Sequence, residues 1–333
     1  MPRKMWRPAP FKRFRSAGGA VLPVATAAVL SFAAAGVDAQ TYGIATMQPG
    51  TLNHTTGSAI AKVLKEKGGM NVLVQPTAGE SSLIPMVGRA EAELGIANIA
   101  AVSGVTRGTG AGQQPDLRLV GSLHALRAAF FVRKDSDLKT ISDLKGKRVT
   151  TGYSAMRTVD TIVQAMLATA GLGIGDVTPV PVPNVVRGAD DFLNGNADTF
   201  MFGFGAPKVR EVDATVRGVR ALEISEAGMA ASRKIFSYGY LSEVSPSPVF
   251  VGVTQKTKVY AYDNMLFTNA KVKDEIVYKI VETMDKHGAD LAAVQPALKG
   301  FSAAGLYKQY DIAYHPGALK YFKDKGLKAQ AIR

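Results

Sequence analysis

YGIATMQPGTLNHTTGSAIAKVLKEKGGMNVLVQ, residues 42–75, carries the alternation that decides the fold. Tyr42–Ala45 reads as a strand, Met47–Thr56 as a loop rich in Pro, Gly, Thr and Asn, and Ser58–Lys67 as a helix whose Ile60, Val63 and Leu64 share one face. Gly68-Gly69 ends that helix, and Asn71–Gln75 is a second strand. A loop over Pro76–Ser82, a helix through Met86–Arg89 and a short apolar strand, Leu94–Ala97, continue the pattern. Strand, loop, helix, strand, loop, helix, strand is the grammar of an open, mostly parallel sheet covered on both faces.

Toward the C-terminus, Leu117–Arg133 reads as a long strand with His124, Arg127 and the apolar stretch Ala128–Val132, leading into a second unit. Asp135–Lys147 is a charged helix-and-turn segment. Arg148–Thr151, Val177–Val182 and Thr199–Phe202 read as strands, with helices over Val159–Ala170 and Ala189–Asn194. Val259–Phe267 returns the chain to the first unit, Lys271–His287 is an amphipathic helix, and the remainder reads as mostly helical. The expected fold class is therefore α/β in two lobes, each a mostly parallel sheet flanked by helices, joined by a hinge that the chain crosses twice. The expected lobes are 40–127 with 262–333, and 128–261. Two such lobes close over a ligand by bending a few linker residues.

Toward the N-terminus, six positive charges fall in the first fifteen residues, Ser16–Ala35 has no charge, and Val21–Leu30 is strongly apolar. Val37 and Ala39 occupy the −3 and −1 positions of a cleavage before Gln40, so residues 1–39 read as a secretory signal peptide and the destination as the periplasm. Pro23 and the short, Ala-rich apolar run argue against a membrane anchor. The whole chain has a formal charge of +13, but without residues 1–39 it has 34 Lys+Arg against 26 Asp+Glu, a net of +8. That charge is spread thinly with no aromatic interleaving, so no nucleic-acid partner is expected, only a mild attraction for anions. Zero cysteines exclude disulfides and thiolate chemistry, and the four histidines lack ligand spacing. Neither a metal nor a cofactor is expected.

Pockets in such sheets lie beyond the carboxyl ends of the strands, which selects the loops after Ala45, Gln75, Ala97, Thr151 and Phe202. The first loop offers Thr46, Gln48, Thr51 and Asn53 before a helix N-terminus, where free amides and the helix dipole favour a carboxylate. The same residue types also serve as plain caps. The second offers Thr77 and Ser81, while Glu80 would repel an anion and is expected to face solvent or a ligand amine or hydroxyl. Asn98 opens the third. In the fourth, Ser154, Arg157 and Thr158 precede a helix, and the planar guanidinium of Arg157 suits a carboxylate. Phe204 and Pro207 belong to the Gly-rich turn of the fifth. No Gly-x-Ser-x-Gly, P-loop or His-Glu-x-x-His motif occurs, so binding without catalysis is expected.

These loops resemble the TAXI family (TRAP-associated extracytoplasmic immunogenic proteins), the solute-binding subunits of tripartite ATP-independent periplasmic transporters. The resemblance spans roughly residues 41–327. It rests on Gly43–Gly57 with Pro49-Gly50, on Val74–Gly79, on Gly88–Ile96, on Asp143–Val149, on Gly152, on Asp198 with Gly205-Ala206-Pro207, and on His315-Pro316-Gly317-Ala318. It implies a type II periplasmic-binding-protein fold and a monomer that delivers small carboxylates or amino acids to the membrane permease subunits of a TRAP transporter. Three pocket loops depart from the family pattern: Gly50-Thr51 and Asn53 replace Gly-Gly and Tyr, Glu80 and Leu83 stand where Ser and Asn are usual, and Ala155-Met156-Arg157-Thr158 replaces Gly-Ser-Gly-Thr. A binding protein of an ATP-driven (ABC) importer and a periplasmic ligand sensor are the alternatives.

Overall fold

The computed structural model describes residues 40–108 and 112–332. The expected signal peptide, residues 1–39, lies outside the described residues.

The first half is built on parallel strands β1 (Thr41–Met47), β2 (Asn71–Thr77) and β3 (Leu94–Asn98), ordered β2-β1-β3. Helices α1 (Leu52–Gly68), α2 (Glu80–Gly88) and α3 (Ile99–Thr106) follow the three strands in turn. The long strands β4 (Leu117–Arg133) and β10 (Thr257–Asn269) pair antiparallel along their length. One end of β10 also pairs with β3, and the far end of β4 pairs with β7 (Phe200–Gly203) and β8 (Val219–Ala221). These two strands are thus the double crossing between halves. Their register shifts between Asn264 and Met265, opposite His124 and Ser122, and again between Leu266 and Phe267, so the ladder is irregular there.

The second half adds β5 (Arg148–Thr151) paired parallel with β6 (Thr178–Pro181), a bridge from Val149 to Thr199 beside β7, and β9 (Tyr240–Val244) on the edge of β10. It carries α4 (Arg157–Ala168), α5 (Val185–Leu193), α6 (Pro207–Thr215) and α7 (Met229–Ile235). The chain then returns through α8 (Asp274–Lys286), α9 (Gly288–Val294), α10 (Ala303–Leu306) and α11 (Pro316–Asp324).

Alternation explains the layering. Ile44 of β1 faces a buried cluster with Ile60 and Leu64 of α1, Val281 and Met284 of α8, and Tyr321 and Phe322 of α11. Its neighbour Ala45 faces the opposite cluster, with Leu83 and Val87 of α2 and Val102 of α3, which continues into the Phe130, Phe131 and Phe200 core of the second half. The sheet is therefore covered on both faces, as the run of strands and helices predicts.

Several boundaries differ from the sequence reading for local reasons. Helix α1 starts at Leu52, six residues before the expected Ser58, because Thr51 caps it by accepting from the His54 N–H and thereby recruits the polar Asn-His-Thr-Thr stretch into the helix. Helix α2 starts at Glu80 inside the expected loop, and α3 follows β3 directly, capped by Asn98. His315 does structural work: it is fully buried, accepts the Gly317 N–H as the N-cap of α11, and bonds the Val272 carbonyl at 2.9 Å. A Cβ on Gly317 would lie 2.2 Å from the Asp274 carbonyl, so only glycine fits there.

Candidate functional site

Three helix N-termini of the second half, α4, α5 and α6, face the loops after β1, β2 and β3 of the first. The backbones meet closely. Ser81 N–H donates to the Ala155 carbonyl (3.2 Å), Lys208 N–H to the Gly50 carbonyl (3.1 Å), and Gln48 Nε2 to Asn184 Oδ1 (2.6 Å), the N-cap of α5. Gly79 permits the first approach, since a Cβ there would stand 2.3 Å from the Ala155 oxygen.

Between the halves lies a small cavity of about 40 Å³ lined by Asn53, Asn98, Asn264, Thr51 and Tyr262, with apolar walls that include Leu126 and Val159. That space holds about one water, so a larger solute does not fit the cavity as it stands.

The amide orientations at this cavity are fixed by a relay that starts on ordinary backbone acceptors. Asn53 Nδ2 donates to the Ile96 carbonyl (3.3 Å), so its Oδ1 turns to Asn264 and must accept from Nδ2 (3.0 Å). The other Asn264 hydrogen points to His124 Nε2 (3.5 Å), and His124 Nδ1–H donates to the Ala125 carbonyl (3.1 Å). Both hydrogens of Asn264 are thereby used, and among the described residues no protein donor reaches its Oδ1, which is fully buried at the cavity. An orphan acceptor of this kind costs about 1–3 kcal/mol until a donor reaches it.

The relay needs neutral His124, and burial pushes its pKa down to about 4. The unfolded chain takes up this proton near the ordinary histidine value, so between about pH 6.5 and 4 the unfolded state binds more protons and stability falls as pH falls. Glu80, whose pKa is raised, contributes with the opposite sign. Comparison with His124→Gln isolates the histidine: wild type should lose up to about 1.4 kcal/mol per pH unit more than the variant in this window, read by denaturant unfolding.

Glu80, expected at solvent or on a ligand, is instead 4% exposed and turned onto the first turn of α4. Its Oε1 accepts the Thr158 backbone N–H (2.8 Å) and the Thr158 hydroxyl, and its Oε2 accepts Asn98 Nδ2 (2.7 Å). The second Asn98 hydrogen goes to Thr158 Oγ1 (2.7 Å), and Asn98 Oδ1 caps α3 through Ala101 N–H. Every polar atom of Asn98 is used. Burial raises the Glu80 pKa, and the bonds from Thr158 and Asn98 oppose that rise.

The remaining sequence candidates separate into four groups. Thr51, Asn53 and Asn98 line the central cavity. Ser81, Arg157 and Thr158 line a flanking concavity of about 320 Å³ beside Glu80, with the Arg157 side chain exposed. Phe204 lines a second flank of about 560 Å³ and stacks edge-on with Phe131 and Phe250. The others are turned away from these spaces. Thr46 is fully buried and bonds the Met47 carbonyl and His54, Thr77 ties the Thr46 carbonyl to Gly79, Gln48 bridges to Asn184, Ser154 is exposed, and Pro207 starts α6. Sequence reasoning missed Asn264, Tyr262 and Leu126, which sit on the crossing strands; the adjacent polar pair Asp263-Asn264 in the middle of a strand was the available signal.

On the reverse face of β10, Asp263 is a second polar centre. Tyr240 donates to its Oδ1 (2.7 Å), and Ser122, Lys308 and Tyr310 to its Oδ2. Burial alone would raise its pKa, but the Lys308 charge and these hydrogen bonds bring it below the ordinary carboxylate value. Among the described residues no group of three His, Asp or Glu is placed to hold a metal.

The NMT1-like family profile matches residues 44–326, from β1 through α11. The chain belongs to the NMT1-like family. Similar solved structures include a periplasmic transporter (13% identity, 86% of this chain and 93% of that chain, TM-score 0.56). The alkanesulfonate-binding protein SsuA from Xanthomonas axonopodis pv. citri bound to MOPS is another (17% identity, 85% and 83% covered, TM-score 0.50). A protein from Bordetella bronchiseptica RB50 matches with 14% identity, 86% and 98% coverage and a TM-score of 0.50. At these identities the likeness establishes the fold of this NMT1-like chain as the two-lobed, type II periplasmic-binding-protein fold. No helix among its described residues is long and apolar enough to cross a membrane.

Proposed function

We propose that this NMT1-like protein is an exported, non-catalytic solute-binding protein. It captures a small organic acid, an amino or hydroxy acid, between its two lobes and delivers it to the membrane permease subunits of a TRAP transporter as a member of the TAXI family. Export follows from the signal-like residues 1–39, and the TAXI assignment from the loop sequences quoted above. We assign 40–127 with 262–333 to one lobe and 128–261 to the other; the register shift at Asn264, opposite His124, supports crossings there.

The observation that carries the reading is the orphan Asn264 oxygen, buried beside the first turn of α1, where Thr51 and Asn53 line the same cavity. First-turn amides have no acceptor within their own helix and suit a carboxylate. The Asn264 oxygen takes the N–H or O–H of the same small ligand. The cavity lining contains no His, Cys, Asp, Glu or Lys, which favours binding over acid–base or nucleophilic chemistry. Closure that brings both lobes against the solute gives the permease a ligand-dependent shape to recognise.

Thermal-shift screening of small acids, neutral sugars and amines tests the reading. A ligand at 100 times its dissociation constant stabilises by about 2.7 kcal/mol, so amino or hydroxy acids should raise the melting temperature. The reading fails if only sugars or amines do so.

Arg157 stands exposed on the rim and acts as an attractor for the incoming anion. Arg157→Ala should slow association by about two- to fivefold at low salt, leave the dissociation rate nearly unchanged, and lose its effect as salt is raised. Stopped-flow binding at two ionic strengths distinguishes this from a direct clamp, which would raise the dissociation rate.

A further inference from the structure

We propose that Glu80 is a built-in counter-anion that fills the carboxylate position at the first turn of α4, so that the cleft selects acids with a single carboxylate. The inference rests on the solute-binding reading and names a restriction on its substrates.

Helix α4 has twelve residues, and its first turn faces the opposite lobe. A carboxylate seated there needs backbone and side-chain donors, and all are present: Thr158 N–H, Thr158 O–H and Asn98 Nδ2–H. They converge on the side chain of Glu80, which comes from α2 across the cleft. Thr158 Oγ1 receives its own hydrogen bond from Asn98, so its hydrogen is committed to Glu80. Gly79 brings the α2 backbone to within hydrogen-bonding distance of Ala155, which seats the Glu80 carboxylate without slack. The donors of lobe 2 that would receive the far carboxylate of a diacid are thus occupied. A second ligand carboxylate directed at α4 would have to displace Glu80 or lie beside it, and like charges at such a distance repel strongly. The first turn of α1 has no corresponding acidic side chain.

Glu80→Ser vacates the position and leaves three donors with no acceptor. Acetate is the probe, because it restores the missing carboxylate group without reproducing the rest of the side chain. Acetate should raise the melting temperature of Glu80→Ser saturably and leave wild type unmoved. Adding Thr158→Val to Glu80→Ser should abolish that response. Succinate should bind Glu80→Ser at least about tenfold more tightly than wild type, as expected for removal of a close like charge. If Glu80→Ser does not fold, Glu80→Gln keeps the shape and removes the charge, and the wild-type preference for succinamate over succinate should shrink in it.

An equal acetate response in wild type and Glu80→Ser overturns the inference, as does wild-type succinate binding that is lost on Thr158→Val. An unchanged succinamate preference in Glu80→Gln overturns it as well. The two readings fail separately: if no acid binds wild type, the proposed function falls while acetate rescue still reports on α4; if acids bind wild type and acetate leaves Glu80→Ser unmoved, only the role of Glu80 falls.

Discussion

Asp263→Ala should lower the unfolding free energy by about 3 kcal/mol, because removing one partner of a buried ion pair leaves the other charge uncompensated. Asp263 is 4% exposed and accepts from Tyr240 of β9, Ser122 of β4, and Lys308 and Tyr310 of the C-terminal segment. The substitution therefore removes an acceptor from an ammonium and three hydroxyls in one place. The Lys308 side chain retains 18% exposure, which lets water take up part of its charge and places the effect at the lower end of the range for buried pairs. The melting temperature should fall by roughly 5 °C for a chain of this size. Lys308→Met, which leaves the carboxylate with its hydroxyl donors, should cost less. If Asp263→Ala melts within about 0.5 kcal/mol of wild type, the crossing strands are not held by this carboxylate.

Asn264→Leu should weaken solute binding by about 10–100-fold, the equivalent of one buried hydrogen bond to a group with no alternative partner. Leucine keeps the same number and branching of heavy atoms but removes the acceptor offered to the ligand. It also removes the donors used by Asn53 and His124, so the melting temperature is measured alongside affinity to separate loss of recognition from loss of fold. A direct ligand contact appears chiefly as faster dissociation. Unchanged affinity in a folded Asn264→Leu protein would move the binding position away from this amide.

The sequence made the layered α/β architecture legible because strands such as Leu117–Arg133 and Arg148–Thr151 are apolar or β-branched runs whose bounds coincide with β4 and β5. Helix starts were harder. After Leu52 the first turn of α1 is polar (Asn53, His54, Thr55), and its cap, Thr51, is what distinguishes it from loop; Glu80 and Asn98 likewise open helices that composition assigns to turns. At the site, the loops after the strands could be selected from topology, but the partners within them could not. Glu80 and Thr158 are 78 positions apart, and nothing local to either states that a carboxylate from one lobe will seat on the helix of the other. Thr46 shows the converse: its hydroxyl looked available, yet strand alternation turns it beneath α1, where a Cβ on Gly57 would touch it. Asn264 carries the clearest unmet polar demand at the cavity and lies in a strand whose pattern signals only burial.

Isothermal titration calorimetry tests the capture of a small acid at Asn264 most directly, using the acid that gives the largest thermal shift against wild type and Asn264→Leu. One-to-one, saturable binding to wild type that weakens at least about tenfold in the folded variant is the predicted result. Equal affinity for the two proteins, or binding by neutral or cationic solutes with none by any acid, would contradict it.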